Sequence, residues 1–210
     1  MASSFSDQIP TVIHLIQQLQ PVSVLDIGKG FGKYGFLIHE YAGINHDRKI
    51  DPARSMQAQS RIRVDAVEVD PDLMLPHLSD LYNKVYFGDV LEIYNTLPKY
   101  DLVLMIDIIE HIDKNKALDL VRHFISTGAR MIIATPLHFF EQELYESPFE
   151  RHVSHWAATD FKHVGFCEKQ YMQAGGIYLL SDKPLKVKGF GNGIKQKIRR
   201  LARHIRNEFR

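Results

Sequence analysis

The stretch from residue 22 to residue 35 constrains the fold more than any other part of the chain. An apolar, β-branched run ends there in closely spaced glycines, at positions 28, 30, 32 and 35. Such a run is typical of a buried strand that enters a tight turn. Aromatic and aliphatic residues follow up to residue 41, which favours a packed helix. A strand, a glycine turn and a helix together let the backbone approach a nucleotide-like ligand closely.

Two cofactor classes use such a unit. Gly30, Gly32 and Gly35 match the spacing of the dinucleotide fingerprint, but that spacing alone is a weak signal. The dinucleotide pattern also expects an acid about 20 residues beyond the glycines. Here the next acid at a predicted strand end, Asp70, lies 40 residues beyond Gly30. NAD therefore remains a minor alternative.

The acid that precedes the glycines favours another cofactor. Leu25-Asp26-Ile27-Gly28-x-Gly30-x-Gly32 resembles the first motif of the class I S-adenosylmethionine (SAM)-dependent methyltransferases. This resemblance, over about residues 20–182, implies an α/β fold with a doubly wound, seven-stranded Rossmann-like sheet that ends in an antiparallel hairpin. It also implies that Asp26 holds the methionine end of SAM, and that Gly28, Gly30 and Gly32 make room for the cofactor.

The next two predicted strands also end in acids. The run from residue 64 to residue 70 ends at Asp70, and the run from residue 84 ends at Gly88-Asp89. The resemblance implies that Asp70 accepts the ribose hydroxyls of SAM, with Glu68 as the second choice, and that Asp89 binds the adenine amino group. Either acid could instead cap a turn or helix.

A fourth apolar run leads into Asp107-Ile-Ile-Glu110-His111. This motif resembles the Asp-x-x-Glu-His variant of small-molecule methyltransferases, which implies that Asp107 belongs to the cofactor site. The chain lacks the Asn/Asp-Pro-Pro-Tyr motif of enzymes that methylate base nitrogens, and the Pro-Cys nucleophile of enzymes that methylate cytosine carbon. A nucleobase acceptor is therefore disfavoured.

The segment 136–156 is the most informative place to look for a catalytic base. Histidine is the side chain best suited to move protons near neutral pH, and we predict His152, then His155 or His111, as the catalytic residue. The equally open alternative is that these histidines only fasten the loop over the sheet. A metal held by His152, His155 and a carboxylate is a third option, but no recognisable ligand set predicts one. The segment also resembles a bacterial methyltransferase subgroup linked to surface-polysaccharide and secondary-metabolite genes.

Helical spacing that ends before Pro21, and the charge of the C-terminal part, divide the chain into a helix at 1–20, a SAM-binding domain at 21–182 and a basic tail at 183–210. The tail carries a net charge of +9, whereas the whole chain carries +1. Apolar residues recur in it at helical spacing from Ile194 to Phe209, as in a basic amphipathic helix. Such a helix suits an anionic membrane surface or an acidic partner, and it equally suits packing on its own domain or on a second subunit. Residues 43–61 form either a lid or a surface loop.

The cysteine content and the lack of an evident signal or membrane span limit where the protein can be located. A single cysteine, Cys167, excludes an internal disulfide, and neither a secretory signal nor a membrane span is evident. We therefore expect a cytoplasmic protein, or a peripheral one at the inner membrane surface.

The predicted activity is methyl transfer from SAM to an oxygen, or as second choice a nitrogen, of a small molecule, sugar or lipid-linked intermediate. A SAM-binding scaffold without activity and an RNA methyltransferase are the alternatives, and Lys29 in the glycine turn has no explanation in the sequence.

Overall fold

The computed structural model describes residues 5–42, 62–138, 148–173 and 175–191. The predicted lid at 43–61 and the predicted tail helix from residue 194 onward lie outside these described residues. The account below therefore concerns the sheet, its helices and the segments that connect them.

The described residues form seven strands and five α-helices, joined by short 3-10 turns. The strands are β1 Ser23–Ile27, β2 Arg63–Glu68, β3 Lys84–Phe87, β4 Leu102–Ile106, β5 Arg130–Pro136, β6 Phe166–Tyr171 and β7 Gly175–Ser181. The helices are α1 Ile9–Leu19, α2 Lys33–Tyr41, α3 Leu78–Leu81, α4 Val90–Ile93 and α5 Lys114–Ser126.

All seven strands belong to one sheet, in the order β3-β2-β1-β4-β5-β7-β6. Strands β1 to β5 run parallel, and β7 lies antiparallel between β5 and β6. This is the predicted doubly wound sheet with a terminal hairpin, and the fold prediction is confirmed. Strand β2 ends at Glu68 rather than at Asp70, because Glu68 Oε1 accepts hydrogen bonds from the backbone of residues 69 and 70 and turns the chain.

Strand β4 shows why an unbroken apolar run suits the centre of this sheet. Successive side chains point to opposite faces of a strand, so both faces of a central strand need apolar cover. Leu102 and Leu104 belong to the core on the face of α1 and α2, whereas Val103 and Met105 belong to the core on the face of α5. All five residues of β4 are buried.

The two ends of the described chain share one of these cores. Val12 and Ile16 of α1 pack in the same cluster as Phe190, and His14 Nε2 lies 2.5 Å from the Lys188 carbonyl oxygen. The described residues on the far sides of the predicted divisions at 20 and 182 therefore pack against the same core of the sheet. Among the described residues, no helix has the length and apolar character needed to cross a membrane.

One further segment covers the exit of β4, and we call residues 151–156 the strap. Its last residue, Trp156, is buried and stacks on Phe161 with ring centroids 5.3 Å apart. Trp156 Nε1 donates to the Ile109 carbonyl oxygen at 3.2 Å and to Ser154 Oγ at 2.7 Å. The indole therefore fastens the strap to the turn that follows β4.

We predict that Trp156→Ala lowers the free energy of unfolding by about 3–5 kcal/mol, because it removes a large buried ring and leaves a cavity. Urea denaturation followed by circular dichroism measures the change. Phe166→Ala, at a ring that is 51% exposed, serves as the control and should cost less than about 1 kcal/mol. Equal effects of the two substitutions would show that the strap contributes little to stability.

Candidate functional site

A cavity of about 610 Å³ opens at the carboxyl edge of the parallel strands. This volume lies within the range of about 300–1,000 Å³ that is usual for small-molecule sites. Strands β1 and β4 are neighbours in the sheet, and their connections run to opposite sides, which is where open α/β sheets bind ligands. The wall includes eight of the ten residues predicted for the site: Asp26, Gly28, Gly30, Asp70, Asp89, Asp107, His111 and His152.

The glycine turn forms the floor next to β1. Gly28 and Gly30 have positive φ angles of 73° and 51°, which L side chains rarely adopt. A Cβ on Gly30 would meet nothing within 4 Å, so this residue opens directly onto the cavity. Gly32 does not line the cavity: a Cβ there would lie 2.7 Å from Leu78 Cδ2, so the missing side chain serves the packing of α2 on α3.

Asp26 is held in place by a tyrosine 56 residues away. Tyr82 Oη donates to Asp26 Oδ2 at 2.6 Å and accepts from the Gly35 backbone N–H at 3.2 Å. Burial raises the pKa of Asp26 to about 6, against the opposing effect of the Tyr82 hydrogen bond. The carboxyl therefore joins β1, α2 and the residue that follows α3.

Lys29 has a structural explanation that its sequence position does not give. Its buried Nζ donates to the Leu73 carbonyl oxygen at 2.9 Å and lies 4.0 Å from Glu68 Oε2. Burial lowers the pKa of Lys29, whereas the charge of Glu68 opposes that shift. Glu68 Oε2 also accepts from the Gly30 N–H at 3.1 Å. Lys29 and Glu68 together brace the glycine turn against the exit of β2.

Asp70 and Asp89 act as caps and also face the cavity. Asp70 Oδ1 accepts from the Asp72 N–H at 3.0 Å, and Asp89 Oδ1 accepts from the Leu91 N–H at 2.9 Å. Among the described residues, these hydrogen bonds engage Oδ1 of each acid, which leaves Oδ2 available to a ligand. The two interpretations that the sequence left open, cap and binding residue, are thus geometrically compatible.

Asp107 stands at the point where β4 ends. Its φ of 53° lies in the left-handed region, which is uncommon for a residue other than glycine. Gln8 Nε2 donates to Asp107 Oδ1 at 3.2 Å, whereas the buried Oδ2 has no hydrogen-bond partner in the described part of the chain. Burial raises the pKa of Asp107 to about 6, against the hydrogen bonds from Gln8 and from the Phe5 backbone and the charge of Lys33.

Beyond Asp107 the cavity wall includes a group of three titratable residues, Glu110, His111 and His152. The rings of His111 and His152 meet edge to face, with centroids 4.8 Å apart. Glu110 is 3% exposed, and neither of its carboxyl oxygens has a hydrogen bond of normal geometry to a described residue, although the Thr135 hydroxyl acts on the carboxyl as a hydrogen-bond donor. Burial and then the charge of Asp107 raise the pKa of Glu110 to about 8. Burial lowers the pKa of His111.

Backbone hydrogen bonds hold this group together across about 40 residues of sequence. The N–H groups of Val153 and Ser154 donate to the Glu110 carbonyl oxygen at 2.8 and 3.0 Å. His111 Nδ1 lies 3.1 Å from the Arg151 carbonyl oxygen. The strap therefore places His152 opposite the turn that carries Glu110 and His111.

The third predicted histidine lies apart from this group. His155 does not line the cavity, and its Nε2 lies 2.8 Å from the Leu137 carbonyl oxygen. This geometry matches the alternative in which a histidine fastens the loop. His155 therefore separates from His152 although the two are only three residues apart.

Sequence reasoning left several wall residues without a role. Glu110 belongs to the Asp107-x-x-Glu110-His111 motif, and its position between two predicted site residues is the feature of the sequence that could have marked it as part of the site. Phe5 and Lys33 also line the cavity, and Gln8 reaches Asp107 from the turn before α1. No local pattern marks Gln8, because its contact spans 99 residues of sequence.

Comparison with known proteins supports the architecture. The sequence matches no protein-family model and no curated relative. In structure, however, the chain resembles the N-terminal domain of EvdMO1 with SAH bound, at a TM-score of 0.58 and 13% identity, over 85% of this chain and 82% of that one. It has the Rossmann-like methyltransferase fold.

Two further solved structures resemble the chain to a similar degree. One is a SAM dependent methyltransferase from Archaeoglobus fulgidus, with a TM-score of 0.54 and 18% identity over 78% of this chain and 69% of that one. The other is an O-methyltransferase family protein from Burkholderia thailandensis, with a TM-score of 0.54 and 12% identity over 85% of this chain. The chain spans only 57% of the length of the Burkholderia thailandensis protein.

We predict that Asp26→Asn changes how stability depends on pH. The folded-state pKa of Asp26, about 6, lies above its value of 3.8 in a free carboxyl, so the folded protein holds the extra proton between these values. The stability that this proton confers is complete below about pH 4 and is lost as the pH rises through 6. Relative to the wild type, the asparagine variant should therefore gain on the order of 2–3 kcal/mol between pH 4 and pH 7.

Urea denaturation at a series of pH values measures this difference. Asp72→Asn, which removes an exposed carboxylate nearby, controls for the loss of one negative charge. A constant difference between Asp26→Asn and the wild type across this pH range would contradict the prediction.

Proposed function

We propose that the chain is a SAM-dependent methyltransferase that transfers a methyl group to an oxygen of a small molecule, sugar or lipid-linked intermediate. One observation carries this proposal. Carboxylates lie at the carboxyl ends of three neighbouring strands, Asp26 inside β1 and Asp70 and Asp89 just after β2 and β3, and a group of one acid and two imidazoles lies on the adjoining wall of the same cavity. The wall with the strand-end carboxylates suits a nucleoside cofactor. The wall with the two imidazoles suits an acceptor group that must lose a proton before it is methylated.

The cofactor would lie along β1, β2 and β3. In this proposal Asp26 and the glycine turn face the methionine end of SAM, Asp70 or Glu68 faces the ribose hydroxyls, and Asp89 faces the adenine. The placement of Glu68 as the last residue of β2 supports it as the ribose acid, but its oxygens already accept three backbone hydrogen bonds. Asp70, with one oxygen uncommitted, remains the first choice.

The acceptor would lie on the side of His111 and His152. In methyl transfer to oxygen, the acceptor hydroxyl loses its proton, the oxygen forms a bond to the methyl carbon, and the bond between carbon and the sulfonium sulfur breaks, leaving a neutral thioether. Alignment of the two reactants can contribute about 7–11 kcal/mol to lowering the barrier. A group that removes the proton adds about 10²–10⁴-fold in rate, which favours an oxygen acceptor beside these imidazoles.

The first experiment tests catalysis directly. We expect methyl-labelled SAM to transfer label to small-molecule, sugar or lipid fractions of a cell extract in the presence of the protein. Because a protein can bind SAM without transferring its methyl group, cofactor binding is measured separately, by calorimetry with S-adenosylhomocysteine. Binding without transfer to any fraction would favour a SAM-binding scaffold, transfer to RNA would favour the other alternative, and binding of NAD instead would refute the proposal.

A matched pair of substitutions locates the cofactor. We predict that Gly30→Leu weakens binding of S-adenosylhomocysteine at least about a hundredfold, because a side chain at this position enters the cavity. Gly128→Leu is the control: Gly128 also has a positive φ and no atom within 4 Å of a Cβ, but it lies outside the cavity wall. The control imposes the same kind of backbone strain and should leave binding unchanged. Equal losses in the two variants would mean that strain, and not occupation of the cavity, weakens binding.

A further inference from the structure

We propose that Glu110, His111 and His152 form a binding site for a divalent transition-metal ion. Each residue offers one ligand atom, and these three atoms lie within 4.8 Å of one another. Glu110 and His152 are buried, and His111 is half-buried. All three line the cavity, so an ion held between them would face whatever occupies that space.

The Glu110 carboxyl supplies the strongest observation. Polar groups that are buried in proteins almost always have a hydrogen-bond partner, because an unpaired one is costly. Both Glu110 oxygens are buried and lack a hydrogen bond of normal geometry to any described residue, and the Thr135 hydroxyl, the side chain that acts on this carboxyl as a donor, opposes the rise in its pKa only in part. The buried Oδ2 of neighbouring Asp107 also has none in the described residues. A cation next to Glu110 would offset the cost of burying this carboxyl.

His111 is oriented as a ligand usually is. Its Nδ1 lies 3.1 Å from the Arg151 carbonyl oxygen, and because a carbonyl only accepts, Nδ1 carries the proton. In the neutral ring, Nε2 then presents its lone pair. Metal-bound histidines typically donate their other ring N–H to a carbonyl or carboxylate in this manner, which fixes the tautomer and the ring orientation.

The backbone also holds the two halves of the site together. The carbonyl oxygen of Glu110 accepts hydrogen bonds from Val153 and Ser154, the two residues that follow His152. Ser154 Oγ, in addition, donates to the Ile109 carbonyl oxygen at 3.2 Å. The third ligand therefore does not depend on a free loop, and preorganised ligands of this kind favour metal affinity.

The donor set indicates the class of ion. Two imidazole nitrogens and one carboxylate oxygen suit Mn²⁺, Fe²⁺, Co²⁺ or Zn²⁺ better than Ca²⁺, which takes oxygen ligands. Three protein ligands leave coordination positions open, as catalytic sites require. The role of the ion rests on the proposed function: with both imidazoles acting as ligands rather than as the base, it would bind the acceptor oxygen, lower the pKa of its hydroxyl group so that the proton passes to water, and orient the oxygen towards the methyl group.

This set differs from the one considered from the sequence, which paired His152 with His155. In the structure, the Leu137 carbonyl oxygen lies 2.8 Å from His155 Nε2, and His155 is not part of the cluster. His155→Gln is therefore a matched control, since it removes a histidine three residues from His152 without removing one of the three proposed ligands.

Direct metal binding tests the proposal without SAM or an acceptor. The full-length protein is treated with chelator and desalted, and Mn²⁺ binding is followed by electron paramagnetic resonance, with Co²⁺ absorption spectra reporting the ligands. We expect one ion per chain, and at least about a tenfold loss of affinity in each of Glu110→Gln, His111→Asn and His152→Gln. Asparagine at 111 retains a donor where Nδ1 stands, so this variant preserves the bond to Arg151 while removing Nε2.

Thermal unfolding provides a second readout that does not depend on the variants folding equally well. Mn²⁺ should raise the melting temperature of the wild type and of His155→Gln, because an ion that binds only the folded state stabilises it by mass action. It should not raise that of Glu110→Gln. A wild-type protein that takes up no Mn²⁺, Co²⁺ or Zn²⁺ would overturn the proposal, and so would variants that all bind as the wild type does.

The outcomes separate this proposal from the proposed function. Methyl transfer that persists in chelator, with no ion bound, refutes the metal site and leaves the methyltransferase intact. An ion bound at Glu110 without binding of S-adenosylhomocysteine refutes the methyltransferase and leaves the metal site intact. Transfer that is lost in chelator and restored by Mn²⁺, with binding of S-adenosylhomocysteine unchanged, supports both.

Discussion

The burial of strand β4 on both faces determines where the titratable residues of the candidate site lie. Its five residues have no exposed side, so the strand is fixed between two cores and its carboxyl end is fixed with it. The chain then leaves through Asp107 in a left-handed conformation and makes a short 3-10 turn at Ile109–His111. The acid and the imidazole of that turn are therefore placed by packing, and the strap adds His152 through hydrogen bonds to the same turn.

The sequence predicted the elements well and the contacts between distant residues poorly, for a physical reason. Apolar runs and glycine spacing are local, and together with the resemblance of the motifs to class I methyltransferases they were enough to predict the sheet, the hairpin and the binding site at the strand ends. The bond from Tyr82 to Asp26 joins residues 56 positions apart, and the bond from Gln8 to Asp107 joins residues 99 apart. Neither contact leaves a local pattern. The surroundings of single residues were equally hidden: Gly32 lies against Leu78 rather than in the cavity wall, and the His155 ring faces the Leu137 carbonyl oxygen.

Lys29 and Glu68 illustrate how a residue that looks unfavourable for binding can be required by the fold. A cation beside a sulfonium would be repelled, but the Lys29 amine turns to the Leu73 carbonyl and towards Glu68. Glu68 accepts backbone hydrogen bonds from both sides, from Gly30 in the turn and from residues 69 and 70 after β2. The pair holds two strand exits at a fixed spacing, so the shape of the cavity floor does not depend on a bound ligand.

The two walls of the cavity differ in how their acids are satisfied. On the wall proposed for the cofactor, Asp26, Glu68, Asp70 and Asp89 each accept at least one hydrogen bond from the protein. On the other wall, Glu110 has no regular hydrogen bond to a described residue although it is nearly fully buried. A fold tolerates a buried, unsatisfied carboxyl when a bound proton or cation compensates it. His111 and His152 stand beside Glu110 and not beside the satisfied acids, so the carboxyl that lacks partners lies where the proposed metal ion and acceptor would bind.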